Sequence, residues 1–190
     1  PDVTNADLLH LQCHIGLDTL AWARRGATVT GVDFSPVALR RARELAEVCS
    51  LPGEFLQADT TRLPAELMER FDITYASYGV IGWIADLAAW MTGAYRALRP
   101  GGRLVLIDFH PAARMFSAGD PPIANKPYGG GSPRTATFRG SYTGAPMTTS
   151  SNDVVQYAHS LGEVVTAAAS VGLSVTSLNE YDDADRDDRG

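Results

Sequence analysis

The chain of 190 residues is 45% hydrophobic and 20% charged with a mean hydropathy of −0.09, values of an ordinary globular protein able to bury about 70% of its unfolded surface in one core. No apolar run approaches the ~20 residues of a membrane-spanning helix, and the opening PDVTNAD lacks the basic and apolar regions of a secretory signal, so the expected location is the cytoplasm. A net charge of −6 and a pI near 5.1 give no basic footprint for nucleic acid, and two cysteines, Cys13 and Cys49, are too few for a disulfide framework.

Along the chain, short apolar runs alternate with helical patterns. Asp7 to Gln12 predicts a strand that stops at a glycine-containing turn, and Leu17, Leu20 and Ala21 then fall at helical spacing. Ala27 to Val32 is β-branched and ends at Asp33, after which Ser35-Pro36 supplies an N-cap and a first-turn proline for a helix carrying Ala38, Ala42, Leu45, Ala46 and Cys49 on one face. Pro52-Gly53 breaks that helix, and Glu54 to Ala58 predicts a third strand ending at Asp59. Phe71 to Ala76 predicts the fourth strand. A helix follows over about 86 to 98, stopped by Pro100-Gly101-Gly102, and Arg103 to Phe109 predicts the fifth strand. Residues 110 to 158, with Pro121-Pro122 and Gly129-Gly130-Gly131, interrupt the pattern and are expected to form a substrate-covering insertion. Ser160 and Glu163 form a capping box for a helix ending at Gly172, and Leu173 to Leu178 predicts a sixth strand. The last residues, 180 to 190, hold six acids against two arginines and read as a solvated tail.

Such alternation implies one α/β domain over 1–190, a Rossmann-like, doubly wound and mostly parallel sheet of six or seven strands with helices on both faces. Ligands of such a sheet bind at the carboxyl ends of the strands. Three features meet there: the turn Leu8 to Gly16, Asp33 after the second strand and Asp59 after the third. Each has an ordinary explanation as a loop glycine, a helix-start acid or a turn residue. Together they flank one crevice at adenosine-like spacing.

The stretches LLHLQCHIGLDTLAWARRGATVTGVDFSP, FLQADTTRLP, FDITYASYGVIGWI and YRALRPGGRLVLIDFHP carry a resemblance to the class I S-adenosylmethionine-dependent methyltransferases, running from about Leu8 to Leu178. The LHLQC first motif resembles a variant within that family. By this resemblance Leu11, Gln12, Cys13 and Gly16 wrap the methionine end of S-adenosylmethionine. Asp33 binds the ribose hydroxyls, with Ser35 beside it, and Phe34 covers an adenine face. Asp59 accepts from the adenine amino group while the Thr60 backbone meets the ring. The Ser77 carbonyl faces the cofactor ammonium, and Tyr78 and Gly79 line the approach to the sulfonium. The implied activity is methyl transfer to a small-molecule acceptor by in-line displacement, leaving S-adenosylhomocysteine. The alternative is a non-catalytic methyltransferase-like protein that uses the surface as a binding module; Asp33, Asp59 and Tyr75 to Gly79 speak for the enzyme.

The common first motif reads acid-x-G-x-G-x-G, whereas this chain has His10, Gln12, His14 and Gly16 at those positions. Side chains at 12 and 14 narrow the approach that glycine permits, so the expectation is a differently shaped loop or a looser hold on cofactor. The dinucleotide pattern G-x-G-x-x-G fails, because it needs glycine where His14 and Leu17 stand. His10 and His14 belong to a strand and its turn with no acidic third ligand nearby, so no metal site is expected, and Cys13 reads as a small buried residue. His110 and His159 are the histidines placed for a possible base, each with a packing role as the plainer reading, and no catalytic residue is assigned. Tyr78, Trp83, Phe116, Tyr128 and Tyr142 are the aromatics expected to meet the acceptor or close the lid. The resemblance further implies helices before the first strand and a seventh strand after the sixth, and weaker cofactor binding without them.

Overall fold

The computed structural model describes residues 2–117, 121–131, 133–137 and 153–181. Strands β1 (Asp7–Leu11), β2 (Thr28–Asp33), β3 (Glu54–Gln57), β4 (Phe71–Ser77) and β5 (Leu98–Ile107) form one parallel sheet in the order β3-β2-β1-β4-β5. Parallel neighbours require crossovers, and the helices α1 (Leu17–Arg24), α2 (Pro36–Cys49) and α3 (Leu87–Ala97) supply them. The order reverses between β1 and β4. That switch point opens a crevice at the strand carboxyl ends.

Strand periodicity divides the core into two layers. Leu8, Val29, Ile73 and Tyr75 point toward Trp22 of α1, while Leu9, Leu11, Val32 and Ala76 pack with Trp90 and Met91 of α3. Helix α4 (Leu161–Ser170) joins the second layer through Val164, Ala167 and Ala168. The local signals for these helices hold. Ser35 Oγ accepts from Ala38 N (3.2 Å), Asp86 accepts from Ala89 N (2.9 Å), and Ser160 and Glu163 close their capping box.

Two expectations are corrected. The fifth strand starts at Leu98 rather than Arg103, because Leu98 pairs with Phe71 before the chain bulges through Arg99 to Gly102 and resumes pairing at Arg103 with Ile73. Gly101 takes φ +84° in that bulge. Leu173 to Leu178 is not a strand, so the described sheet has five strands. Alternation there gives one face only Leu173 and Val175 and the other only Leu178, too little apolar surface to hold an edge strand, and Val175 and Leu178 stay exposed. Glu180, in the stretch expected to be a solvated tail, stays exposed and accepts from His110 Nε2 through Oε1 at 2.5 Å; residues 182–190 of that tail lie outside the described residues.

The insertion contributes two small antiparallel pairs separate from the central sheet: β6 (Phe116–Ser117) with β7 (Ile123–Ala124), and β8 (Pro133–Thr137) with β9 (Asp153–Tyr157). Strand β9 packs against the short 3-10 turn Ile81–Trp83, and His159 Nε2 donates to Ile84 O at 2.7 Å. The insertion therefore folds back onto the loop that follows β4. Tyr142, named above as an acceptor contact, lies outside the described residues.

Candidate functional site

The turn after β1 departs from expectation in an instructive way. Gln12 and His14, where the motif has glycines, take φ +55° and +51°, and Gly16 takes +77°. The loop thus keeps the left-handed conformations that glycine would adopt freely, at a cost of about 1–2 kcal/mol for each side-chain-bearing residue. Interactions across the sheet edge hold it there. Trp90 Nε1, fully buried in α3, donates to Gln12 Oε1 (2.9 Å), and Gln12 Nε2 donates to Val80 O (3.2 Å). The Gln12 side chain consequently points toward α3 and the loop after β4.

His14 N donates to Asp33 Oδ2 and Ser35 N to Asp33 Oδ1, both at 2.9 Å. One carboxylate therefore ties the first turn to the start of α2, 5% exposed yet retaining lone pairs beyond these two bonds. Phe34 beside it is 75% exposed, an aromatic face with little cover. Two glycines permit this closeness. A β-carbon on Gly16 would meet Phe55 Cε1 at 2.9 Å, and one on Gly31 would meet Cys13 Sγ at 2.8 Å. Cys13 is buried against that strand; burial first, and the Asp33 charge second, push its thiol up to about 12, which disfavours the thiolate that a nucleophile or metal ligand needs. Its N–H is spent on Val32 O (2.9 Å). Leu11 likewise has a fully buried side chain, so it meets the crevice through its backbone alone.

Asp59 follows β3 in an exposed turn where Thr61 N and Oγ1 both donate to Oδ1 (2.8 and 2.7 Å), which holds the carboxyl below its usual range, and Oδ2 lies outside both bonds. Thr60 is buried beneath it. At the end of β4, Ser77 Oγ donates to Asp18 Oδ2 in the first turn of α1 at 2.8 Å. Tyr78 then takes φ +57° and stands 66% exposed. Trp83, Phe109 and Phe116 are also exposed, so aromatic surface collects around the β4 and β5 ends.

The histidines find structural duties. His10 is buried with Nδ1 2.7 Å from Thr19 Oγ1, and burial holds its pKa down at about 4, so it is neutral at pH 7. His110 accepts from Ala112 N at Nδ1 (3.1 Å) and meets Glu180 through Nε2, leaving neither nitrogen for an acceptor proton in this arrangement. Among the described residues no His, Cys, Asp and Glu cluster could hold a metal ion, and no helix is long and apolar enough to cross a membrane. A cleft of about 540 Å³ lies at the opposite edge of the sheet, against Thr28, Gly53 and Phe71, but its Arg99 is paired with Asp7 and Asp72, and no strand carboxyl end faces it. Sequence reasoning missed the partners Asp18, Val80 and Trp90; only Asp18, an acid just past Gly16, left any local signal.

A family model described as "Methyltransferase domain" matches residues 9–106, just over half of the chain, from β1 to nearly the end of β5. Demethylmenaquinone methyltransferase of Thermus thermophilus is 41% identical over 86 residues, 45% of this chain and 38% of that protein. Ubiquinone biosynthesis O-methyltransferase of Methylobacterium nodulans is 31% identical over 110 residues, 58% of this chain and 43% of that protein. The chain thus spans about two fifths of the length of these curated relatives. The crystal structure of an S-adenosylmethionine dependent methyltransferase from Mesorhizobium loti superposes with a TM-score of 0.62 at 23% identity, covering 90% of this chain and 76% of that one, which supports the fold. With its Rossmann-like sheet and a methyltransferase domain match running through it, this chain belongs to the class I S-adenosylmethionine-dependent methyltransferases.

Proposed function

We propose that this protein transfers a methyl group from S-adenosylmethionine to a small, planar, largely apolar acceptor. The observation that carries the reading is Asp33: a carboxylate at the end of β2, oriented by two backbone N–H groups, next to an aromatic face left open at Phe34. These residues fit an adenosine-bearing cofactor. Asp33 would accept the ribose hydroxyls on its remaining lone pairs, Phe34 would cover the adenine, and Asp59 Oδ2 would take the adenine amino group beside the Thr60 backbone. Gly16, Gln12 and the backbone of Leu11 and Cys13 would border the methionine end, while Ser35 fixes Asp33 from the far side. When bound, the cofactor supplies an electrophilic methyl on a sulfonium that leaves as a neutral thioether.

The chain's own task is then to position and to exclude water. Tyr78 and the 81–84 loop, clamped from behind by Gln12 and covered by β9, are suited to orient the acceptor. The exposed Trp83, Phe109 and Phe116 suit a flat apolar partner, and the quinone-pathway relatives point the same way. A net charge of −6 disfavours nucleic acid. The glycine-poor turn is compatible with the cofactor reading, since its backbone retains left-handed conformations at 12 and 14.

The test is transfer of tritium-labelled methyl from S-adenosylmethionine to a panel of reduced quinones, catechols and aliphatic amines. Label on the planar acceptors is expected. Cofactor binding without transfer to any acceptor in the panel would favour the binding-module alternative.

A further inference from the structure

We infer that Asp18, held by Ser77, is the anionic partner of the cofactor's α-ammonium, a role resting on the cofactor reading above. The two residues come from different elements and meet at the switch point between β1 and β4. Ser77 is the last residue of β4, 9% exposed, and Asp18 is the second residue of α1, half-buried at the same edge. The Ser77 hydroxyl donates to Asp18 Oδ2 (2.8 Å), which fixes the carboxylate's rotation and leaves acceptor capacity on Oδ1.

Charge then selects the ligand group. S-adenosylmethionine carries two cations, and only the ammonium donates hydrogen bonds; the sulfonium has no N–H or O–H. Of the carboxylates at this edge, Asp33 is engaged by His14 and Ser35, Asp59 by Thr61, and Asp108 by Ile81 N together with Arg114 at 3.5 Å. Asp18 takes part in none of the ion pairs among the described residues. His10 lies close enough to feel its charge but is neutral at pH 7, so it offers Asp18 no counter-cation. A half-buried carboxylate oriented by a hydroxyl and lacking an internal cation is a built receptor for a desolvated ammonium. The carboxylate in the first turn of α1 also faces the positive end of that helix.

Calorimetric titration with two ligands separates the claim from the reading beneath it. S-adenosylhomocysteine has the ammonium; 5′-methylthioadenosine has the adenosine and sulfur but no amino-acid portion. Asp18→Asn should weaken S-adenosylhomocysteine binding about 10-fold to 100-fold, the size of a charge-assisted hydrogen bond, and leave methylthioadenosine within about twofold. Ser77→Ala, which keeps the charge and loses its orientation, should weaken only the first ligand, by a smaller factor, and gives the same comparison if Asp18→Asn fails to fold. Equal weakening of both ligands, or none of the first, would overturn the assignment while sparing the cofactor site. Wild-type protein that binds neither ligand would overturn the cofactor reading itself, and this inference with it.

Discussion

Removal of the Gln12 side chain tests whether the first turn is held in a strained shape by contacts to α3 and the loop after β4. Gln12→Ala deletes the acceptor of a buried indole N–H and a donor to Val80 O while leaving a β-carbon at φ +55°. The orphaned Trp90 Nε1 costs about 1–3 kcal/mol and the second bond about 0.5–1 kcal/mol, so the alanine variant should lose about 2–3 kcal/mol. Gln12→Gly loses the same bonds but recovers about 1–2 kcal/mol of left-handed strain, offset by about 0.4–1 kcal/mol of extra unfolded-state entropy. Glycine should therefore be more stable than alanine by about 1 kcal/mol, reversing their usual order. Urea unfolding followed by tryptophan fluorescence reads this directly, provided the slope m is common to all three proteins. An alanine variant as stable as the glycine variant would show that position 12 is not strained, and wild-type stability in the alanine variant would show that the Trp90 bond contributes nothing.

Neutral burial of His10 makes stability depend on pH. Its folded pKa near 4 lies below the ordinary 6.5, so the unfolded chain binds the proton first; the stabilisation is complete above pH 6.5 and falls by about 3 kcal/mol as pH drops to 4. His10→Gln should flatten that slope in chemical denaturation at pH 7, 5.5 and 4.5, and an unchanged slope would refute the neutral assignment. Of the two thiols, exposed Cys49 should react rapidly with Ellman's reagent at pH 8 and Cys13 only after unfolding; two fast thiols in the native protein would contradict the burial of Cys13. Phe34→Ala should weaken S-adenosylhomocysteine about 3-fold to 10-fold, the value of an aromatic stacking contact, without lowering the unfolding midpoint. Undiminished affinity would remove Phe34 from the adenine site.

Local features of the fold could be read directly. Ser35-Pro36 and the Ser160–Glu163 box start helices through contacts within one turn, and strands that end at Asp33 and near Asp59 announce themselves by a switch from apolar to acidic residues. Long-range features could not. The Gln12–Trp90 bond spans 78 positions, and nothing near either residue predicts it. A side chain at a glycine position suggested an altered turn, but packing from α3 overrode the local preference. Residues 173 to 178 failed in the opposite direction: their alternation is strand-like, yet strand formation depends on apolar surface that LSVTSL does not possess. The site divides in the same way. Asp33 and Asp59 stood out as candidates from their positions at the strand ends and Phe34 only through the family resemblance, whereas the Asp18–Ser77 hydrogen bond forms only when the fold brings the end of β4 against α1.

The most direct test of the central claim is calorimetric titration of S-adenosylhomocysteine into the wild-type protein and Asp33→Asn, with thermal unfolding recorded for both. The account predicts micromolar binding to the wild type and a loss of about 30-fold or more in a folded variant, since an amide replaces a carboxylate that accepts charge-assisted hydrogen bonds. Equal affinity in the two proteins would contradict it.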